Sequence, residues 1–83
     1  MTHATEDVAA LEPVFAARRA NLRLLSAKYD GPSKLAEALK LKHPSYLSQL
    51  IGPNPQRNVS ERTARAYETQ LGLPTGWLDI ARG

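Results

Sequence analysis

Three short polar side chains near the middle of the chain have the types and the spacing to form hydrogen bonds with a planar partner. Ser45, Ser48 and Gln49 stand at positions i, i+3 and i+4, so a helix places them on one face. A glutamine amide suits a bidentate contact with adenine, and a serine hydroxyl donates to or accepts from several bases. The trio predicts a helix face that reads base edges in the major groove of duplex DNA.

The opposite face of the same segment is apolar. Leu47, Leu50 and Ile51 also stand at i, i+3 and i+4, and Pro44 suits the first turn of a helix because its missing N–H has no partner there. We therefore predict a helix over residues 44–51, with Tyr46 on its flank. One side would pack on the domain and the other would face the groove.

Proline, serine and glycine signals divide the chain into five predicted helices. They begin at Pro13, Pro32 or Ser33, Pro44, Ser60 and Pro74, and the first ends near Asp30-Gly31. The second ends around Lys40 and is capped either by Ser33, or by Gly31 with Pro32 as its first residue. The fourth ends at Gly72, and the fifth spans residues 74–81.

No run of alternating β-branched residues is present, so the sequence predicts an all-α fold, a compact bundle of about five helices. Residues 1–12 are small, polar and acidic, and we expect a flexible N-terminal segment there. Residues 13–83 would form the single domain.

Three arginines of the first helix divide between its two faces. Arg19 and Arg23 lie opposite the apolar stripe formed by Val14, Phe15, Leu22, Leu25 and Tyr29, whereas Arg18 falls within it. Arg18 either pairs with a carboxylate at the edge of the core or extends its alkyl chain along the surface.

Catalysis and metal binding find little support in the composition. The chain has no cysteine, and His3 and His43 each lack a second ligand at helical spacing, so we expect no metal and no cofactor. No nucleophile motif or glycine-rich phosphate loop occurs, so an enzyme is not expected. No apolar run approaches the roughly 18 residues of a spanning helix, and no signal peptide is visible at Met1–Asp7, which predicts an intracellular protein without membrane contact.

The charge distribution favours a polyanionic partner. The chain has 11 basic and 8 acidic residues, a formal net charge of +3. Three of the acidic residues precede Pro13, which leaves 5 acidic against all 11 basic residues, a net charge of +6, from Pro13 onward. Such a balance suits nucleic acid, although a basic domain without any such partner also fits.

Four segments appear in an order and spacing that resemble a known family. They are SKLAEALK at 33–40, SYLSQLIG at 45–52, VSERTARAYE at 59–68 and LGLPTGWLD at 71–79. The stretch from Pro32 to Trp77 resembles the lambda-repressor-like helix-turn-helix family of Cro/XRE type, and in particular small bacterial and prophage regulators. Residues 13–29 match its first helix loosely.

The resemblance implies sequence-specific binding of double-stranded DNA by a repressor-like transcriptional regulator. Ala36 matches the small residue where the two helices of the motif touch, and Leu47 the apolar anchor of the recognition helix. The positions of Ser45, Ser48 and Gln49 match those of base-contacting side chains. The family also implies a homodimer on DNA, located in the bacterial cytoplasm with the nucleoid.

Phosphate contacts are expected on both sides of the recognition helix. Ser33 and Lys34 stand at the start of the second helix, where backbone N–H groups attract anions. Lys42 belongs to the turn, and Arg57 and Asn58 follow the recognition helix. His43 contacts a base or a phosphate or simply caps the helix, and we favour a peripheral role for it.

The chain departs from the family pattern at the turn. Lys40 occupies the place where the family prefers glycine, and Leu41-Lys42-His43-Pro44 makes the turn one residue longer. An ungapped match would put Tyr46 at the anchor position, but Leu47 and Leu50 would then point less well into the core.

Two other functions remain open. A helical protein-interaction module, such as an antitoxin or assembly adaptor, would place Tyr46, Tyr67 and Trp77 in a protein interface. Non-specific RNA binding is weaker, because the sequence predicts no exposed aromatic platform.

Overall fold

A computed structural model describes residues 3–82 of the chain, with side chains described from Pro13 onward. These residues form four α-helices, α1 (His3–Lys28), α2 (Pro32–Ala38), α3 (Ser45–Ile51) and α4 (Glu61–Leu71), followed by a 3₁₀ turn at Trp77–Asp79. Residues 3–82 contain no strand, which confirms the all-α prediction.

The predicted fifth helix over residues 74–81 is wrong. Only the single 3₁₀ turn forms there, because Gly76 before it is left-handed (φ 90°) and Ile80 after it is extended. The N–H of Leu78 donates to Oε2 of Glu68 instead of to a carbonyl of a regular helix. Residues 3–82 therefore form four α-helices and not five.

The first helix is longer than predicted. Helix α1 runs from His3 to Lys28 with Pro13 inside it, so the prediction that Pro13 starts this helix is wrong. A proline removes one backbone hydrogen bond from a helix, and here the helical backbone continues on both sides of it. Residues 1 and 2 and the side chains of residues 3–12 lie outside the described part of the structure, so the flexibility expected of the segment 1–12 stays a prediction.

The two predicted signals between α1 and α2 are confirmed. Asp30 takes a left-handed conformation (φ 68°), and the N–H of Gly31 donates to the carbonyl of Ser26 over 2.7 Å, which closes the end of α1. Gly31 is the N-cap of α2 and Pro32 its first residue, with no side-chain cap, so Ser33 is not the cap.

Leucines from the helices meet in one core beneath α3. Helix α1 packs against α2, α3 and the 3₁₀ turn, and α4 packs against the same turn. The buried cluster consists of Leu22, Leu25, Leu35, Ala36, Leu39, Leu47, Leu50, Val59, Ala64, Tyr67 and Leu78. Helices α1 and α2 both pack against α3, and α4 contributes Ala64 and Tyr67 to the same core.

The start and end of α4 follow the sequence signals. The Ser60 hydroxyl accepts from the N–H of Thr63 at 3.2 Å, and Gly72 ends the helix in a left-handed conformation. These contacts confirm Ser60 as the N-cap and Gly72 as the stop.

Candidate nucleic-acid interface

Helix α3 separates its apolar and polar faces as predicted. Leu47 and Leu50 are buried and Ile51 is half-buried, whereas Ser45 and Ser48 are exposed and Gln49 is half-buried. The helix begins one residue later than predicted, because Pro44 is its N-cap. Its polar face is open to a partner.

In the first turn of α3 Leu47 is buried, whereas Tyr46 is half-buried beside the core. At this point of α3 the leucine, and not the tyrosine, enters the core. Ala36 is buried in the same cluster, on a helix that contacts α3. The small side chain that the resemblance implies where α2 and α3 touch is therefore part of the core.

Lys40 adopts a left-handed conformation (φ 57°) at the end of α2. The N–H of Lys40 donates to the carbonyl of Glu37 and the N–H of Leu41 to that of Ala36, at 3.0 and 3.1 Å. Both bonds belong to a Schellman motif, in which glycine is the usual left-handed residue. The conformation explains why glycine would suit this place and shows that lysine occupies it under strain.

An open cleft of about 470 Å³ lies beside the polar face of α3. Its lining brings together five of the predicted site residues with two neighbours: Leu41, Lys42, His43, Ser45, Tyr46, Gln49 and Arg57. At its far side the Arg57 guanidinium donates from Nε to Oε1 of Gln49 over 2.9 Å. Residues from the turn, the helix and the following loop therefore meet in one concavity.

A smaller cleft of about 250 Å³ lies between the starts of α2 and α3. It is lined by Pro32, Ser33, Pro44, Ser45 and Ser48. The Ser48 hydroxyl donates to the carbonyl of Ser45 over 2.7 Å, which leaves its oxygen as an acceptor toward the surface. Ser33 is thereby brought next to two of the predicted base-reading residues.

Two predicted phosphate contacts lie outside both clefts. Lys34 is exposed on α2, and Asn58 is exposed in the loop, where its Oδ1 accepts from Nη2 of Arg19 at 3.1 Å. That bond leaves the Asn58 amide N–H groups as its outward donors.

The end of α3 is held by two arginines that we predicted on the polar side of α1. Arg19 donates from Nε to the carbonyl of Leu50 at 2.8 Å, and Arg23 donates to those of Ile51 and Gly52 at 3.0 and 2.9 Å. The last carbonyls of a helix lack partners within it, and cations suit that negative end. The sequence shows the Gly52-Pro53 stop, but nothing in it links that stop to arginines about 30 residues earlier.

The loop after α3 folds back onto the helix. The N–H groups of Gln56 and Arg57 both donate to the carbonyl of Gln49, at 2.8 and 3.2 Å. Arg19 also reaches this loop, where it donates to the carbonyl of Arg57 at 2.8 Å. These bonds to the Arg57 backbone hold it beside Gln49 independently of the Arg57 side chain.

An ion-pair network fastens the C-terminal turn to α1 and α4. Arg18 is buried and binds both carboxylate oxygens of Asp79, at 2.7 and 3.2 Å, which confirms the carboxylate alternative for Arg18. Arg65 donates to the same carboxylate at 2.8 Å. Hydrogen bonding to Arg18, and then to Arg65, lowers the pKa of Asp79 although partial burial opposes the shift.

Glu68 is a buried carboxylate that sequence reasoning missed. It accepts from the N–H groups of Gly76 and Leu78, at 3.0 and 2.8 Å, and pairs with Arg65. Together with Asp79 it occupies Arg65, so this arginine is part of the fold and not a free cation. The carboxylate of Glu68 in α4 thus holds the segment 76–79 against this helix.

The described residues offer little for other kinds of site. From Pro13 to Arg82 no group of three or more His, Asp or Glu side chains is placed to hold a metal ion. No helix in the described part of the chain is long and apolar enough to cross a membrane.

Comparison with known proteins finds similarity to a prophage repressor. The chain is 34% identical over 62 residues to the prophage repressor CohE of Escherichia coli (strain K12). The matched region covers 75% of this chain but only 27% of CohE, so the chain spans about a quarter of that protein's length. No protein-family model matches the chain, and no solved structure matches it.

Proposed function

We propose that this chain is a repressor-like regulator that binds double-stranded DNA sequence-specifically, with α3 in the major groove. The observation that carries the proposal is the division of α3, whose buried Leu47 and Leu50 fix it while Ser45, Ser48 and Gln49 line open clefts. A short helix held in this way by a preceding helix and turn suits the groove. The similarity to a prophage repressor supports the same function.

The proposed fold is the lambda-repressor-like helix-turn-helix, with α2 as its first helix and α3 as its recognition helix. Ser45, Ser48 and Gln49 are assigned to base edges. The residues assigned to phosphates are Ser33, Lys34, Lys42, His43, Arg57 and Asn58. The regulator would be a non-enzymatic protein of the bacterial cytoplasm that works without a cofactor and binds DNA as a homodimer.

Electrostatics supports a groove-facing role for the two clefts. Lys42 and Arg57 line the larger cleft, and no acidic residue lines either one. Cations that flank a base-reading helix release counterions from the phosphates and make the affinity depend on salt. The net charge of +6 from Pro13 onward supplies the longer-range attraction.

Selection from a random duplex library tests the proposal. We expect an enriched sequence whose affinity falls steeply between low and physiological salt, by about one decade per decade of salt for each phosphate neutralised. Lys42→Ala should weaken all duplexes alike and flatten this slope by about 1. Lys28→Ala is the matched control, because Lys28 is exposed on α1 and lines neither cleft. Absence of any enriched site, with poor affinity even at low salt, would refute the proposal.

A second candidate, a protein-interaction module, is favoured by a different surface. Leu24 and Ile80 are large apolar side chains exposed to solvent. Leu24 lines a groove together with Ala20, Ala27 and Ala81, and Asn21, Arg23 and Arg82 complete the lining. This groove shares no residue with either cleft beside α3. The proposed homodimer would also need an apolar contact of this kind. Light scattering of the wild type and of Leu24→Glu distinguishes a self-associating surface from one that stays monomeric.

A further inference from the structure

The hydrogen bond between Arg57 and Gln49 limits what the glutamine can offer a base. A guanidinium carries only donors, so the amide oxygen of Gln49 has to face Arg57 and its Nε2 group has to face away. The 2.9 Å contact from Nε of Arg57 engages that oxygen before any ligand arrives. The hydrogen bond to Arg57 therefore sets which end of the Gln49 amide points toward the cleft.

The pair is rich in donors on its outward side. On the donor side, Gln49 keeps both N–H groups of Nε2, and Arg57 keeps the N–H groups of its two terminal nitrogens. On the acceptor side, only the remaining lone pair of the Gln49 oxygen is left. Both side chains line the larger cleft, Arg57 being exposed and Gln49 half-buried. A base edge that meets this pair therefore meets mainly N–H groups.

Adenine and guanine respond differently to such a surface. A bidentate contact with adenine needs the glutamine oxygen to accept from the N6 amino group while Nε2 donates to N7. Guanine presents two acceptors, N7 and O6, in the major groove. The Gln49 oxygen that already accepts from Arg57 has one lone pair left for the N6 amino group of adenine, whereas both acceptors of guanine meet free N–H groups, so the pair matches guanine better.

We propose that Arg57 orients Gln49 so that the pair reads guanine rather than adenine. Arg57 is then a positioning residue that sets base preference through Gln49, in addition to its assigned phosphate contact. The inference rests on the proposed DNA-binding function and deepens it by naming the preferred base.

The backbone geometry makes this role testable by substitution. The N–H of Arg57 donates to the Gln49 carbonyl, and its own carbonyl accepts from Arg19, and neither bond uses the Arg57 side chain. Arg57→Ala should therefore leave the loop in place and free the Gln49 oxygen. Arg57→Lys keeps a donor that can engage this oxygen, so it serves as the conservative variant.

The experiment uses the full chain and the best duplex from the random selection. The position read by the pair is the one at which Gln49→Ala loses discrimination. Wild type should prefer guanine there and should weaken when 7-deazaguanine, which lacks N7, replaces it. In Arg57→Ala the ratio of guanine to adenine affinity should fall about tenfold, and Arg57→Lys should restore much of it. Circular dichroism and thermal unfolding check that each variant is folded.

The possible failures are distinguishable. If wild type shows no sequence preference, the proposed function fails and the inference fails with it. If wild type prefers adenine at the Gln49-dependent position, the DNA-binding function stands and the inference is wrong. The same holds if Arg57→Ala weakens guanine and adenine duplexes by equal factors, because Arg57 would then contact phosphate only.

Discussion

Arg19 reaches from α1 to the end of α3, where its Nε lies 2.8 Å from the carbonyl oxygen of Leu50. Its Nη2 group donates to the carbonyl of Arg57 and to Oδ1 of Asn58 in the following loop. One side chain therefore satisfies a carbonyl at the end of the helix and two oxygens of the loop beside Gln49. The position of α3 depends on α1 through charge as well as through the apolar core.

Arg19→Ala should lower the free energy of unfolding by about 1–2 kcal/mol, because a partly buried carbonyl and two loop acceptors lose a charged donor. The loop should also loosen, so the affinity for the selected duplex should fall even though Arg19 is not assigned to DNA. Urea unfolding followed by the fluorescence of Trp77, the single tryptophan, measures the first effect. Arg62→Ala, a change at an exposed arginine of α4, should cost under about 0.5 kcal/mol. Equal costs for the two variants would contradict the capping role.

Gly52→Ala should destabilise the end of α3. A Cβ at Gly52 would clash with the carbonyl oxygen of Ser48, which is the acceptor of the Gly52 N–H. The clash is with backbone, so relief requires a shift of the helix end, at a cost of about 1–3 kcal/mol. Pro53→Ala, at the exposed neighbouring position, is the control. Thermal unfolding of both variants measures the difference, and an unchanged Tm for Gly52→Ala would show that the helix end is more adaptable than its contacts indicate.

Lys40→Gly should stabilise the protein by about 1 kcal/mol. Lysine in a left-handed conformation costs about 1–2 kcal/mol of folding free energy. Glycine removes this cost, but it loses more backbone entropy on folding, so the net gain is smaller. The Schellman hydrogen bonds involve only backbone and persist in the variant. Lys34→Gly, a change within α2, should instead destabilise by roughly 1 kcal/mol. A loss of stability in Lys40→Gly would mean that the lysine side chain contributes a contact that outweighs the strain.

The polar and apolar faces of α3 could be predicted from the sequence because both depend on local spacing. Helical periodicity alone places Leu47 and Leu50 opposite Ser45 and Ser48, and the structure agrees. The capping roles of Ser60 and Gly72 could also be predicted from the sequence, because a helix cap acts on residues within one turn. The position of Lys40 at the end of α2 also followed from local pattern.

Contacts between distant segments could not be read in this way. Arg19 and Arg23 looked like solvent-facing residues because their partners are backbone carbonyls, which have no signature in a sequence. The Glu68 carboxylate accepts from the N–H groups of Gly76 and Leu78, and these bonds take the place of the regular helix predicted there. The contact of Arg57 with Gln49 likewise depends on how the loop after α3 returns.

Glu68→Ala should be among the most destabilising single changes in the described part of the chain. It would leave the buried N–H of Leu78 without its acceptor and Arg65 without one of its carboxylates, a loss of about 3 kcal/mol. Glu68→Gln keeps one acceptor oxygen without the charge, so its cost should be smaller and its unfolding transition measurable if the alanine variant does not fold. Urea titrations compare the two with wild type. A cost below about 1 kcal/mol for Glu68→Ala would show that the C-terminal turn is not coupled to the stability of the bundle.

Acid should weaken the protein through Asp79. Hydrogen bonds from Arg18 and Arg65 lower the pKa of this carboxyl below its ordinary value of 3.8, so the folded state binds the proton less tightly than the unfolded state. The resulting stabilisation is fully present above about pH 5 and is lost as the pH falls through 3.8 toward the folded-state pKa. Asp79→Asn should cost about 1–2 kcal/mol at pH 7, and its difference from wild type should shrink as the pH approaches 2. Urea unfolding of both proteins between pH 2 and 7 measures this difference directly. A difference that stays constant over the range would place the acid sensitivity on another carboxyl, because only a group that titrates in wild type and not in the variant can make the two curves converge.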